Sequence, residues 1–362
     1  MSTAMRELLK SGAVKASAPC RIDMGGTLDL STFFLPLRFV RPCTFNIALA
    51  LRTTVVLEPW EKERIRISSR GFEDAEFYAG QAPFNHPLGF MFAVANYFGA
   101  AGVRITIDSS SPPRSALGGS SAAAVALVAA FGAALRRAGR GGSITRRRAA
   151  LLAHALESSV AGVPCGLQDH LAAAYGGVNA WYWPENIGAP DFRRVSVKPP
   201  GKAEKLKDHI LVAYCGVPHT SADINGEWVR QFIAGTDRNK WVQVAECTHG
   251  FVEALSTGDY KEAAACMNRE VALRTAMTPE VLDGVGRQLV EGAVNAGCGS
   301  RFTGAGGGGC VWALGDVEDI DRLRQIWEKA LSTRADARLL DAAVDRTGMK
   351  VTSSSRAGLR GA

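Results

Sequence analysis

Short runs rich in β-branched residues punctuate the first third of the chain. Val14 to Pro19, Thr53 to Pro59, Arg64 to Ser68 and Val103 to Ile107 carry this pattern and predict strands. From Ser120 the pattern changes to an Ala/Val/Leu body running to Ala138, with Ser120 as N-cap and a glycine-rich exit at Gly139 to Gly142, which predicts a helix. A second helix is expected over Thr145 to Ser159, capped at Ser143 and stopping near Gly162. Gly176 and Gly177 mark a turn into a strand over Val178 to Trp183.

The stretch 184–208, rich in Pro, Gly and charge, breaks the pattern and places a linker or crossover near residues 190–208. Beyond it a strand is expected at His209 to Tyr214. Helices follow at about Asn225 to Phe232, Lys240 to Leu255, Tyr260 to Ala276 and Pro279 to Ala296. Ser300 to Phe302 and Cys310 to Leu314 read as strands paired around a glycine run, Ile320 to Leu331 as a helix and Ala337 to Leu340 as the start of a closing strand. Ser353 to Ala362 reads as a tail.

At 362 residues and 47% hydrophobic composition, the chain exceeds the size at which a single core usually divides, so two domains are expected. Its eight cysteines are scattered, with no C-x-x-C pair and no Cys/His cluster at zinc spacing, which favours reduced thiols and a cytoplasmic setting. The opening MSTAMRELLKSG lacks the apolar core of a signal peptide, and the run Ala122 to Leu135 is too short to span a bilayer. No membrane is expected. A net charge of +7 raises nucleic acid as a partner, with Arg136, Arg137, Arg140 and Arg146 to Arg148 as the densest patch. Arginines at a helix end complement its dipole, and no aromatics are interleaved for base stacking, so no nucleic-acid partner is expected.

Three segments carry candidate chemistry. In SPPRSALGGSSAAAVALVAA, residues 111–130, two prolines end a strand, small residues form a close turn and serines open an Ala-rich helix. Such a turn aims backbone N–H groups and the positive end of a helix dipole at a phosphate. Ser120 and Ser121 are placed either to cap the helix or to touch a nucleotide-bound Mg²⁺. In RFTGAGGGGCVWAL, residues 301–314, the glycines satisfy G-x-G-x-x-G, but a strand follows where a dinucleotide fold needs a helix. A glycine turn packed close to a ligand or another backbone fits better. No G-x-x-x-x-G-K-[ST] occurs, which excludes ordinary P-loop chemistry. In ESSVAGVPCGLQDHLAAAYGGVN, residues 157–179, Glu157 and Asp169 flank a Gly/Pro turn. Brought together they divide the labour of a metal ligand and a base; apart, they are ordinary helix caps.

In this order the three segments, with SAPCRIDMGGTLDL at residues 17–30, resemble the GHMP kinase superfamily from about Ala16 to Leu314. The stretch GLQDHLAAAYGGVN, 166–179, is similar to the sugar-kinase branch that includes D-glycero-D-manno-heptose 7-phosphate kinases and galactokinase. The resemblance implies an α+β fold of two domains, a mixed N-terminal α/β domain over residues 1–200 and a C-terminal ferredoxin-like sandwich over 201–352. It implies ATP and Mg²⁺, with Asp169 as the base, Arg21 beside it, and Ser120 and Glu157 on the metal. Pro113, Ser115, Ala116, Leu117, Gly118, Gly119, Ser120 and Ser121 would hold the nucleotide, with Gly304, Gly306 and Gly307 closing over them. Gly26, Thr27, Asp29 and Gln168 would hold the acceptor. Apart from the resemblance, His219 in the segment 215–228 either reaches into the acceptor pocket, where a phosphate would suit it, or belongs to an ordinary turn that caps the helix at Asn225.

The sequence departs from that pattern in places. Arg114, Ala116 and Gly119 replace the Gly, Gly and Ser of the commoner loop, the interval from Arg21 to Asp29 is one residue short, and His170 stands where Gln or Asn is usual and bears on acceptor choice. The expected activity is ATP-dependent phosphorylation of a hydroxyl on a sugar or sugar phosphate, by a monomer or homodimer. A mevalonate- or homoserine-type acceptor and a catalytically silent sensor on the same scaffold are the alternatives.

Overall fold

The computed structural model describes residues 3–183, 192–197, 205–218, 224–341 and 343–353. Two long antiparallel strands, β1 (Val14–Met24) and β2 (Cys43–Pro59), form the backbone of the first sheet. Their register shifts between Pro19 and Cys20, where proline cannot donate to the ladder. β3 (Arg64–Ser69), β4 (Ala75–Tyr78) and β5 (Val103–Ser109) extend the sheet beyond β2, and β6 (Val178–Tyr182) and β7 (Arg193–Ser196) continue it from the other half of β2.

Both long strands are more extensive than their β-branched runs. The outer end of β1 alternates between buried and solvated positions, whereas every residue from Ala18 to Met24 is buried. β2 behaves in the reverse order along the chain. Where helices cover both faces the two-residue alternation disappears, and with it the strand signal.

The helices of this half are α1 (Thr3–Lys10), α2 (Ser31–Phe34), α3 (Gly89–Tyr97), α4 (Gly119–Arg137), α5 (Arg146–Val160) and α6 (Gln168–Tyr175). α4 is the central one. Its run of alanines and valines is buried from Ser121 to Gly132, and small side chains let it lie close on β1 and β2. It is apolar enough to span a membrane by length and composition, but 72% of its apolar window is buried inside the protein. Arg136 and Arg137 occupy its last turn, where the dipole favours cations.

The second half begins with β8 (Ile210–Tyr214) and continues through α7 (Ile224–Ile233), α8 (Arg238–Thr257), α9 (Tyr260–Met277) and α10 (Gly284–Asn295). β9 (Gly299–Phe302), β10 (Cys310–Leu314), α11 (Val317–Leu331) and β11 (Arg338–Leu340) complete it. The sheet order β11-β8-β10-β9, antiparallel throughout, is that of a ferredoxin-like split βαβ unit. The fold is therefore two-domain α+β, as the sequence implies. One helix expected over Pro279 to Ala296 is two elements: a 3₁₀ turn at Pro279–Val281, then α10, which Asp283 caps by accepting from Gly286 N at 2.7 Å.

The halves share apolar surface. Phe45 of β2 meets Phe251 of α8 at 5.0 Å between ring centroids, and Phe251 meets Trp312 of β10 at 6.1 Å. In the opposite direction, Phe33 of α2 enters the second core between Phe232 and Trp241, at 4.7 and 4.2 Å. The boundary of the second domain at residue 352 needs correction. β12 (Lys350–Ser353) pairs with β1, and Asp345 N donates to Ala48 O at 2.8 Å, so the stretch 343–353 belongs to the first sheet. Of the tail expected at 353–362, residues 354–362 lie outside the described residues.

Candidate active site

The buried half of β1 delivers Arg21 and Asp23 to the junction of the two domains. Arg21 N donates to Leu117 O at 2.9 Å, which fastens the strand to the loop ahead of α4. That loop turns through left-handed backbone at Arg114, Ala116 and Gly118, with φ of 53°, 58° and 72°. Gly118 is the N-cap residue of α4 and no side chain caps the helix, so the serines do not act as caps. Ser120 is exposed; Ser121 is buried with its Oγ 3.5 Å from Glu157 Oε2.

Asp169 stands in the first turn of α6. Arg21 Nε and Nη2 donate to its two oxygens, each at 2.7 Å, while Nη1 donates to Ala116 O at 2.7 Å. One guanidinium thus spans a carboxylate and the phosphate-type loop. Burial works against the charge on Arg21, but the Asp169 and Asp23 carboxylates outweigh it and raise the guanidinium above its ordinary range. Asp169 itself is 23% exposed and faces a cavity of 420 Å³. A Cβ on Gly118 would lie 3.4 Å from Asp169 Oδ2, so the carboxylate stands at the entrance of α4.

Glu157, in the last turns of α5, reaches the same cavity. His170 Nε2 lies 3.0 Å from Glu157 Oε2, out of line for a hydrogen bond but within ion-pair range. Burial opposes ionisation of Glu157, and His170, His154 and the Ser121 hydroxyl together more than offset it, leaving the carboxyl below its usual range. The expectation that His170 bears on acceptor choice is corrected here. One helical step beyond Asp169, the ring points away from the cavity, is wholly buried, and stacks edge-on against His154 at 5.5 Å.

The other end of the cavity is built by the loop after β1. Asp29 is buried and accepts from Gln168 N at 3.0 Å; burial pushes its carboxyl up to about 6. Gly166 makes this possible, because a Cβ there would fall 1.9 Å from Asp29 Oδ2. Thr27 Oγ1 donates to Asn225 Oδ1 at 3.0 Å, and Gly26, Thr27, Asp29, Gln168 and Asn225 all line the cavity. The buried Gln168 Oε1 has no partner among the described residues. His219 lies outside the described residues.

The glycine run reaches this junction from the second domain. Gly309 has no room for a side chain, since a Cβ would meet Ser115 O at 2.6 Å, with a φ of 85° besides. Gly304 faces Ala116 O and lines the cavity, and its N donates to Asp23 Oδ1 at 2.7 Å. Gly306 and Gly307 turn elsewhere: a Cβ on Gly306 would meet Val281 O at 2.5 Å, and Gly307 N donates to that same oxygen. Leu117 is core, contributing its carbonyl to Arg21.

Sequence reasoning missed what binds the domains beneath the cavity. Asp23 accepts from Arg301 at 3.1 Å, Arg301 donates to Glu270 at 3.0 Å, and Glu270 also holds Arg274 at 2.9 Å. Arg274 lies over Trp228 and Trp241 and donates to Gly26 O at 2.6 Å. Four charged side chains are here fully buried yet mutually paired, which costs less than burying any one of them alone. Asn225 was legible only as a helix start.

Comparisons with known proteins give the family and the fold. The GHMP kinases N-terminal domain matches residues 85–177 and the GHMP kinases C-terminal domain matches residues 251–333. In class the protein is a kinase. In particular, the chain belongs to the GHMP kinase superfamily. Among solved structures it is similar to a D-glycero-D-manno-heptose 1-phosphate kinase from Bacteriodes thetaiotaomicron, with 16% identity, TM-score 0.70, and 94% and 98% of the two chains covered. Lactococcus lactis galactokinase complexed with galactose gives 18% identity, TM-score 0.68 and coverage of 96% and 98%. Streptococcus pneumoniae phosphomevalonate kinase in complex with phosphomevalonate and AMPPNP gives 15%, 0.69, and 92% and 100%. At these identities the likeness is one of fold. No curated protein matches the sequence.

Proposed function

We propose that the chain transfers the terminal phosphoryl group of ATP to a hydroxyl of a sugar or sugar phosphate. Phosphoryl transfer passes through a loose transition state, so the protein's task is to position reactants and offset charge. The backbone N–H groups of residues 115–121, at an uncapped helix entrance, hold the nucleotide phosphates. Asp169 orients the acceptor hydroxyl and takes its proton, and Arg21 holds that carboxylate in place by two hydrogen bonds. Asp29, Gln168, Thr27 and Asn225 offer an array of hydrogen-bonding groups suited to a polyol, which favours a sugar over a largely apolar acceptor.

The donor set fits Mg²⁺. Glu157 supplies one hard carboxylate and Ser120 an exposed hydroxyl on the same cavity wall, and Mg²⁺ in nucleotide sites is held by one or two such ligands plus phosphates. When bound, the ion neutralises phosphate charge. The eight cysteines are free and seven are buried, in keeping with a reducing cytoplasm.

The observation that carries this reading is the doubly bonded Arg21–Asp169 pair at the entrance of α4. A coupled ADP-release assay over a panel of free and phosphorylated sugars tests it. Asp169→Asn should lower kcat by about 10²-fold, the scale of general-base loss, with nucleotide affinity nearly unchanged. Turnover close to that of the parent protein would place the base elsewhere, and no turnover on any sugar would remove the sugar assignment.

A further inference from the structure

Arg114 stands at the tip of the loop between β5 and α4, exposed, with its backbone at φ 53°. A non-glycine residue in the left-handed region is uncommon and strained, and persists where the surroundings impose it or the side chain is useful there. Two other residues of this turn share the conformation, and each has a visible reason. Gly118 has no Cβ to strain, and Ala116 presents its carbonyl to Arg21 while its side chain packs beside Gly309. Among the described residues Arg114 has no comparable tie. Glycine, which stands here in the commoner form of the loop, would take the same backbone without strain. What this chain gains at position 114 is the guanidinium.

That guanidinium belongs to the cavity wall, its carbon 5.9 Å from the centre of the Phe72 ring. The described residues include no carboxylate within ion-pair distance of it. The other cations of the wall are engaged: Arg21 is locked to Asp169 and Ala116 O, and Arg70 Nη1 donates to Ser109 O at 3.0 Å. Against them stand Asp29, Glu157 and Asp169, so a polyanion entering the cavity meets more acidic than free basic groups. Arg114 sits on the loop leading to the entrance of α4, whereas Asp29 and Asn225 lie on the elements that build the other end.

We propose that Arg114 is a nucleotide-contacting residue that places a mobile cation over the polyphosphate as it lies along the turn before α4. The proposal rests on the reading of this cavity as a nucleotide site. A long side chain anchored by a strained backbone and resting on an aromatic face is free to swing onto phosphate oxygens, and arginine matches their geometry bidentately. The shared chemistry is a phosphate group, and a phosphorylated acceptor is the other conceivable source.

The test uses the full chain as Arg114→Gly, Arg114→Ala and Arg114→Lys. ATP and ADP binding are measured by titration calorimetry at 50 and 300 mM salt, with KM values for ATP and acceptor and a thermal melt. Arg114→Gly should weaken ATP binding roughly tenfold at low salt and by only a few fold at high salt, as expected of a partly exposed charge-assisted contact. Its melting temperature should hold or rise, because glycine relieves the backbone. Arg114→Ala should lose the same affinity with no such relief, and Arg114→Lys should retain most of it. ATP affinity unchanged in Arg114→Gly overturns the proposal, as does a rise confined to the KM of a phosphorylated acceptor. A parent protein that binds no nucleotide instead overturns the kinase reading itself, so the two failures are told apart.

Discussion

Asp29→Asn separates the stability of this fold from its chemistry. The Asp29 carboxyl is buried without a cationic partner among the described residues, and desolvation, with a smaller push from Asp169 and Asp23, raises it from 3.8 to about 6. A raised acid pKa means the folded chain holds its proton more tightly than the unfolded one. Folding stability therefore falls as pH climbs through the window from about 4 to 6, and the penalty stays in force above it. Two units correspond to about 3 kcal/mol, and an amide recovers part of that, so about 1–3 kcal/mol of stabilisation is expected for Asn at pH 7.5. With a transition entropy near 2.1 cal/mol/K per residue, this is a rise in Tm of roughly 1–4 °C for a chain of 362 residues. Melting curves of the parent and variant between pH 5 and 8 make the comparison, with the gap narrowing toward the acid end. Acceptor KM should rise at least tenfold in the same variant, since an ionised acceptor of hydroxyl protons is lost. A variant that melts below its parent at pH 7.5 would refute the reasoning, because it would mean that the ionised carboxylate is a net stabilising group.

Three further expectations follow from the geometry. Gly309→Ala drives a methyl against Ser115 O in a left-handed backbone, and should lower Tm by several degrees and raise the KM for ATP more than that for the acceptor; equal KM effects would contradict the contact. His170→Leu strands the half-buried Glu157 carboxylate, and should raise the Mg²⁺ concentration for half-maximal rate severalfold, as read by magnesium titration at saturating ATP, while His170→Gln restores part of it. Asp169→Asn and Arg114→Gly should show opposite signatures, the first in kcat and the second in nucleotide affinity.

The glycine- and serine-bearing loops were legible because their chemistry is local. A turn that takes positive φ, or approaches a backbone within 3 Å, favours glycine at that place, as Gly118 and Gly309 show, although Arg114 and Ala116 take positive φ in the same loop. The helix from Gly119 to Arg137 was equally plain. Burial on both faces hid the inner half of β1, and with it Asp23, whose neighbours carry no alternation to mark a strand. The same cause hid α3, where Met91 to Ala95 are all buried and no polar face exposes the helical period. The Asp23–Arg301–Glu270–Arg274 chain had no sequence signal, since its members are scattered over nearly 280 positions and acquire meaning only when the two sheets meet. His170 misled for a simpler reason. Adjacency to Asp169 in sequence is a 100° rotation on a helix, and it delivered the ring to the back of Glu157.

The pairing of β12 with β1 also governs how the molecule comes into being. During vectorial synthesis the free edge of β1 is made early, yet the strand that covers it emerges only after the whole ferredoxin-like unit has left the ribosome. Until then an exposed strand edge must be carried by the nascent protein. Arg52, which grips Asp345 and the carbonyl of Gly348, is the latch that ends this interval, and Met349 N closes onto Ala174 O at the foot of the helix bearing Asp169. The helix bearing Asp169 thus gains a support from a stretch made only after the whole second sheet, so its setting is completed later than the strands on which it lies.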